Sequence, residues 1–554
     1  MESWLPKSLL CLSNYSRKDF FADLLAGVTV GMVALPLAMA FAIASGLSPQ
    51  SGIYCAVVTG FIISAFGGSR VQIGGPTGAF VVVIAAIVAR HGVDGLFMCT
   101  MMAGVLLLAM GVTGLGSAVK FIPRPVVLGF TNGIAVLIAS TQIKDFFGLQ
   151  VEHVPSEFIK RIRELALQGS TASWQATVLA ISAVAIILLC SRFMKRVPGY
   201  IVVLVLGTAA VVVFRLPVET IGSRFGGIPS GMPHLKVPQF RPDLMLTLIS
   251  PAVTIAMLGA IESLMSAVVA DRMSGDRHNP NVELMAQGIA NIASPIFGGL
   301  PATGAIARTA TNVRSGARTP VAGIVHALTL VLILLFAAPL ARFIPLAVLA
   351  AILLVVAYNM GEWGETAKLL KLSRYDIAVW VVTFGLTVVA DLTVAVEFGM
   401  ILAALLFIRK VTETTTVTEV TEEYVENARP HILQDKDIPA HVSIFRIHGP
   451  FLFGATEKLA IVSDSIPDLP HVVILRLRNM TALDATGLHE IAELADRLHA
   501  SGRVLILCGA RQQPAALMRK AEFAEKIGRK NICFSIEQAL ARARDFEHQG
   551  IYEA

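Results

Sequence analysis

From about residue 24 to 412 the chain is a near-continuous series of apolar runs, broken by short Gly, Pro and charged punctuation. A helix needs about 20 apolar residues to cross the hydrocarbon layer of a bilayer. The pattern predicts spans near 24–46, 52–67, 76–89, 96–115, 124–142, 173–190, 198–214, 248–270, 283–297, 303–315, 321–341, 345–360, 376–391 and 393–410. That is about fourteen, an even number that leaves both ends on one side. The runs near 76–89 and 303–315 are too short to cross, and each follows Gly and Pro.

Beyond 412 the pattern changes. "TETTTVTEVTEEY" reads as a polar, β-branched linker. "VSIFRIHG", "HVVILRLRN" and "RVLILCG" then read as strands, and "ATGLHEIAELADRLHASG" as an amphipathic helix ending at a glycine. Strands alternating with helices imply a small soluble α/β domain. The predicted plan is an N-terminal segment 1–20, a transmembrane domain 21–412, a linker 413–440 and a soluble domain 441–554.

Composition agrees. Of 554 residues 55% are hydrophobic and 15% charged, against roughly 25% charged in an ordinary soluble domain. This excludes a disordered chain and a secreted disulfide scaffold. The net charge of +6 is modest, and much of it flanks the spans, so no nucleic-acid partner is expected. Alternation places Lys7, Arg17, Lys18, Arg70, Lys120, Arg124, Arg192, Lys195, Arg196, Arg314, Arg318, Lys371, Arg374, Arg409 and Lys410 on the cytoplasmic side. The opposite side carries its basic residues mostly in two long loops, 143–172 and 215–245. The expectation is a multi-pass protein of the cell's inner (plasma) membrane with both termini cytoplasmic, its first span inserting without a cleavable signal. Cys11, Cys55, Cys99, Cys190, Cys508 and Cys533 are scattered and read as small apolar residues.

The most informative feature is a repeat. Gly74-Gly75-Pro76-Thr77-Gly78-Ala79 opens one short run, and Gly298-Gly299-Leu300-Pro301-Ala302-Thr303-Gly304-Ala305 opens the other. The separation matches seven spans per half, so the second half has inverted topology. Short Gly/Pro-interrupted segments at matched positions mark a ligand site at the bilayer midplane. A half-helix that starts in the membrane leaves orphan N–H groups, and two such starts facing one another make a pocket that prefers an anion. Arg308, about one turn into the second half-helix, would add a mobile positive charge; the bland alternative is that it snorkels to the interface. Glu262 sits mid-span in "SPAVTIAMLGAIESLMSAVVADR", with Ser266 on the same helix face. A carboxylate there suits proton carriage or, with a hydroxyl, a sodium ion; the structural alternative is a partner for Arg308. Glu397, near the start of the last span, is read as interfacial.

These residues bring a family into view. "LPLAMAFAIASGLSPQSGIY", "GGSRVQIGGPTGAF", "GFTNGIAVLIASTQIKDFFG", "AMLGAIESLMSAVVADRMSG" and "GGLPATGAIARTATNVRSGART" resemble the sulfate permease (SulP) family, bacterial relatives of solute carrier family 26. The resemblance implies a 7+7 inverted repeat with a core of spans 1–4 and 8–11, a gate of spans 5–7 and 12–14, elevator-like movement and a homodimer. It places the anion between the starts of spans 3 and 10, against Phe41, Thr77, Gly78, Ala305, Ile306, Ala307 and Arg308. The family's acidic residue falls on Glu262, so Glu262, Ser266 and Thr303 form the expected ion-coupling set; a glutamate there resembles proton-coupled members, and sodium is the alternative. The tail resembles a STAS domain through Leu483-Asp484-Ala485-Thr486-Gly487. Ala485 stands where related antagonist proteins carry a phosphorylated serine, leaving a folding role or a cytoplasmic protein partner.

The expected function is proton-coupled uptake of sulfate or a similar oxyanion. The alternatives are a C4-dicarboxylate symporter, a sodium-coupled bicarbonate transporter or, in a different class, an anion channel. No HExxH, GxSxG or P-loop supports an enzyme, and no cofactor beyond the coupling ion is expected.

Overall fold

The computed structural model describes residues 4–13, 15–116, 123–151, 154–155, 157–193, 198–228, 231, 235, 241–390, 392–420 and 438–548. Lys120, Lys195, Arg196 and linker residues 421–437 lie outside them. The chain forms two units, Met1–Ile401 and Leu402–Ala554.

The first unit is helical, because in lipid a backbone must satisfy its own N–H and C=O groups. Its first half contains α1 (Lys7–Leu12), α2 (Arg17–Ala44), α3 (Pro49–Phe66), β1 (Gly74–Gly75), α4 (Gly78–Val112), α5 (Arg124–Phe147), α6 (Phe158–Leu167), α7 (Trp174–Phe193) and α8 (Gly199–Phe214). After the short α9 (Ile221–Phe225), the second half contains α10 (Met245–Ser274), α11 (Pro280–Ile296), β2 (Thr303–Gly304), α12 (Ile306–Arg314), α13 (Val321–Phe336), α14 (Ala338–Ala341), α15 (Leu346–Met360), α16 (Trp363–Leu369) and α17 (Arg374–Val389). The helix α18 (Leu392–Thr414) follows. Among the described residues seven helices are long and apolar enough to cross a membrane, and α8 and α13 are shorter apolar helices.

The expected spans near 76–89 and 96–115 run as α4, broken at Gly92, whose φ of 72° interrupts the helix. The long loops predicted at 143–172 and 215–245 hold α6 and α9. Glu397 is exposed, six residues into α18.

Small residues set the packing. A Cβ on Gly31 of α2 would lie 2.8 Å from Thr329 of α13, and one on Gly104 of α4 would lie 2.8 Å from the Gly288 carbonyl of α11. Close approach through glycine is the usual way membrane helices associate without a hydrophobic driving force. Two packing sets result. Helices α2, α3, α4, α10, α11, α12 and α13 interlock, and α5, α7, α15 and α17 form the other group.

The two halves meet at β1 and β2, which pair antiparallel with Gly74 opposite Gly304 and Gly75 opposite Thr303. Equivalent strands running in opposite directions are what an inverted repeat requires. Each strand hands its chain directly to a helix start.

The second unit is a five-stranded sheet in the order β3 (Thr416–Glu419), β4 (Val442–Phe451), β5 (Val472–Leu483), β6 (Val504–Cys508) and β7 (Ile532–Cys533). Strands β4 to β7 are parallel, and β3 is antiparallel to β4. The helices are α19 (Ala460–Asp464), α20 (Ala485–Ala500), α21 (Gln512–Lys520), α22 (Phe523–Ile527) and α23 (Ile536–His548). Ile491 and Leu498 of α20 pack with Leu475 and Leu507 on one face of the sheet, and Leu540 and Phe546 of α23 with Ile474 and Ile506 on the other. The linker expected at 413–440 is partly structured. α18 continues to Thr414, and the β-branched run that follows pairs as β3 along the edge of β4, where Thr and Val suit a pleated edge.

Candidate functional site

The crossing of β1 and β2 fixes where α4 and α12 begin. Thr77 caps α4 and Ala305 caps α12, and in neither case does a side chain close the first turn. Helix starts leave their leading N–H groups without intrahelical partners and carry the positive end of the dipole.

The scaffold behind the strands is polar. The Thr303 hydroxyl donates to the Gly259 carbonyl at 3.1 Å and lies 2.6 Å from Ser263 Oγ, which accepts from the Gly304 N–H at 3.0 Å. Gln72 Nε2 donates to the Ser263 carbonyl at 3.2 Å. On β1's side the Ile73 N–H donates to Thr309 Oγ1 at 3.1 Å, and the Ser266 hydroxyl donates to the same atom at 3.2 Å. Asn291 clasps Ala302 with both ends of its amide, at 2.8 and 2.9 Å. These bonds pin both strands to α10, α11 and α12, because an unpaired backbone group buried in lipid is costly.

In front of the strands lies a cavity of about 270 Å³. Phe41, Thr77, Gly78, Glu262, Ala305, Ile306, Ala307 and Arg308 all line it, together with Met257, Met265, Phe130 and Met360. Every anion-site residue expected from sequence is therefore at this cavity. Ser266 and Thr303 are not among its lining; both are fully buried in the scaffold just described. The hydroxyl that meets Glu262 is that of Thr77, which donates to Glu262 Oε2 at 2.9 Å.

Arg308 does not snorkel. It is 2% exposed, and its Nη2 donates to the Pro76 carbonyl at the end of β1. Nη1 has no acceptor among the described residues. Gly75, at φ 152°, leaves the room: a Cβ there would collide with Nη1. Arg308 and Glu262 share the cavity without forming an ion pair of 4 Å or less, so the cation retains donors for a ligand. The arrangement offers two helix starts and a guanidinium to an anion, with the Glu262 carboxyl bonded to Thr77 at the start of α4.

The supporting residues Gln72, Ser263, Asn291 and Thr309 were not singled out from sequence. Their signal was polarity inside otherwise apolar spans. In the second unit, Asp484 caps α20 by accepting from the Gly487 N–H at 2.8 Å, and its other oxygen accepts from the Phe453 N–H at 3.0 Å. The Asp-Ala-Thr-Gly motif thus has a structural task of its own.

Comparison with known proteins identifies the family and the fold. Residues 20–383 match the sulfate permease family and residues 434–539 match the STAS domain. The chain is 41% identical over 520 residues to YvdB of Bacillus subtilis, provisionally named a sulfate transporter, covering 94% of this chain and 97% of that one. It is 32% identical over 539 residues to the bicarbonate transporter BicA of Synechocystis, covering 95% and 94%. The solved transmembrane domain of a cyanobacterial BicA aligns with a TM-score of 0.61 at 35% identity, over 70% of this chain and 98% of that one. The murine Slc26a9 anion transporter, in its inward-facing state, shares the fold with a TM-score of 0.87 at 19% identity, over 98% and 94%. The chain belongs to the sulfate permease family and carries a C-terminal STAS domain.

Proposed function

We propose that this protein is a secondary active transporter that takes up sulfate or a similar oxyanion together with protons. The observation that carries this reading is the convergence of two helix starts and the guanidinium of Arg308 on one cavity, with Glu262 on its wall. Backbone N–H groups and a cation bind an oxyanion without needing its identity encoded in many side chains. A carboxyl held by one neutral hydroxyl can take up a proton when the anion arrives. The proton then offsets the charge that moves with the substrate.

Helices α2–α4 and α10–α13 are read as the moving core, and α5, α7, α8, α15, α17 and α18 as the gate. Elevator-like displacement would carry the cavity between the two faces. The family resemblance supports a homodimer in the inner membrane with both termini cytoplasmic, and a cytoplasmic protein partner for the STAS domain.

A second reading, sodium-coupled bicarbonate uptake, is favoured by the similarity to BicA. Labelled sulfate uptake into proteoliposomes separates the two. Accumulation driven by an inward proton gradient without sodium supports the first reading. Bicarbonate uptake that requires sodium, with no sulfate uptake, supports the second.

A further inference from the structure

The sheet of the second unit carries a row of cations unrelated to the transport cavity. Strand register places Thr418, Arg446, Arg476, Cys508 and Cys533 side by side across β3 to β7. Arg478 follows two residues along β5, and Arg511 is anchored beside it by donating Nε to the Arg478 carbonyl at 2.8 Å. Among the described residues the row contains no carboxylate. The nearest acid along β3, Glu419, is engaged by the Ser443 hydroxyl at 3.0 Å, and Asp484 is used as the cap of α20.

Arg476 is the unusual member. It is 8% exposed, and among the described residues it has no hydrogen-bond acceptor and no ion-pair partner. Burial, and then the neighbouring Arg478 and Arg446, push its pKa below the ordinary arginine value. Like charges on adjacent strands destabilise a sheet, and a nearly buried cation is ordinarily paired. Helix α23 covers only part of this face: its Ile536, Leu540 and Phe546 pack with Val442, Ile444, Val472 and Ile474. Arg478 and Arg511 remain exposed at the edge of the row, so the cluster is open to a ligand.

We propose that Arg446, Arg476, Arg478 and Arg511 form a binding site for a phosphate group. Planar guanidinium forks match phosphate oxygens bidentately, and three acceptor oxygens suit several forks better than one carboxylate does. A bound phosphate would also relieve the repulsion within the row. Two sources fit the same chemistry. One is a soluble phosphate compound. The other is an anionic phospholipid headgroup, since only Thr415 separates the end of α18 at Thr414 from the start of β3 at Thr416, and juxtamembrane basic clusters attract anionic lipid.

Hydrogen exchange on the full-length protein tests this, because it reads the second unit separately from any anion held in the transport cavity. The protein is compared in phosphatidylcholine nanodiscs, in the same discs with millimolar inorganic phosphate, and in discs containing phosphatidylglycerol. Exchange in peptides covering Arg446, Arg476–Arg478 and Gly509–Arg511 is expected to slow about threefold or more in at least one of the two phosphate-bearing conditions. Slowing with inorganic phosphate alone assigns a soluble ligand, and slowing with phosphatidylglycerol assigns the lipid. Both R476Q and the exposed variant R478Q should diminish the effect; R478Q keeps the test valid if loss of Arg476 disturbs the fold. No slowing in either condition, or undiminished slowing in R478Q, overturns the proposal.

Discussion

Thr77 and Glu262, which are 185 residues apart, are joined by a 2.9 Å hydrogen bond that ties the start of α4 to the middle of α10. The bond couples the two repeats at the point where the anion would sit. It also gives the carboxyl its one side-chain donor among the described residues, so the protonation of Glu262 and the position of the α4 start are linked.

Glu262→Gln keeps an acceptor for Thr77 but cannot carry a proton. Uptake driven by a proton gradient should be lost while anion exchange persists, as read by labelled sulfate in proteoliposomes under gradient and under exchange conditions. Thr77→Val removes the donor instead. A hydrogen bond to a charged group contributes about 1.5–3 kcal/mol, so gradient-driven uptake should fall roughly tenfold or more. Unchanged pH dependence in Glu262→Gln would show that the carboxyl does not carry the coupling proton.

Gly75→Ala should damage the site although the substitution adds one methyl group. The new Cβ would collide with Arg308 Nη1, and φ of 152° is strained for any side chain. The guanidinium must then leave the Pro76 carbonyl. The expected result is a raised KM for the anion with expression and thermal stability much closer to wild type. A KM equal to wild type would mean that Arg308 has room to spare.

The repeat and both helix starts were legible in the sequence because Gly, Pro and Thr-Gly-Ala recur at matched positions in two apolar runs; Phe41, Ile306 and Ala307 came from the family resemblance, and the structure puts them at the cavity. The role of Ser266 was not legible. Helical spacing puts it on the face of Glu262, but spacing cannot reveal that Thr309 of α12 lies within 3.2 Å of it. Asn291 and Gln72 were missed for the same reason. Asn291 bonds the backbone of Ala302, just before β2, and Gln72 bonds the Ser263 carbonyl of α10, a partner that exists only once the two halves cross. The strand β3 was hidden in a polar linker, since an edge strand of Thr and Val carries little hydrophobic signal.

The cysteines offer a test of burial independent of transport. Cys11 is partly exposed, and Cys55, Cys99, Cys190, Cys508 and Cys533 are buried. Burial pushes the Cys508 thiol up to about 12, with nearby Cys533 raising it further and Arg476 opposing. The thiolate is the reactive form, so Cys508 should stay unlabelled from neutral pH through mildly alkaline pH. Intact mass after maleimide treatment should show a single adduct on the folded protein and six after unfolding. Rapid labelling of Cys508 in the folded state would contradict the packing of β6 against α23.

The central claim is that the cavity between the starts of α4 and α12 holds the transported anion, with Arg308 as its cation. Equilibrium binding of labelled sulfate to purified wild type and Arg308→Ala tests it most directly. Hydrogen bonds to charged groups contribute about 1.5–3 kcal/mol, so affinity should fall roughly tenfold or more in the variant, while its melting temperature stays measurable and cooperative. Sulfate binding of equal affinity in the two proteins would place the anion elsewhere.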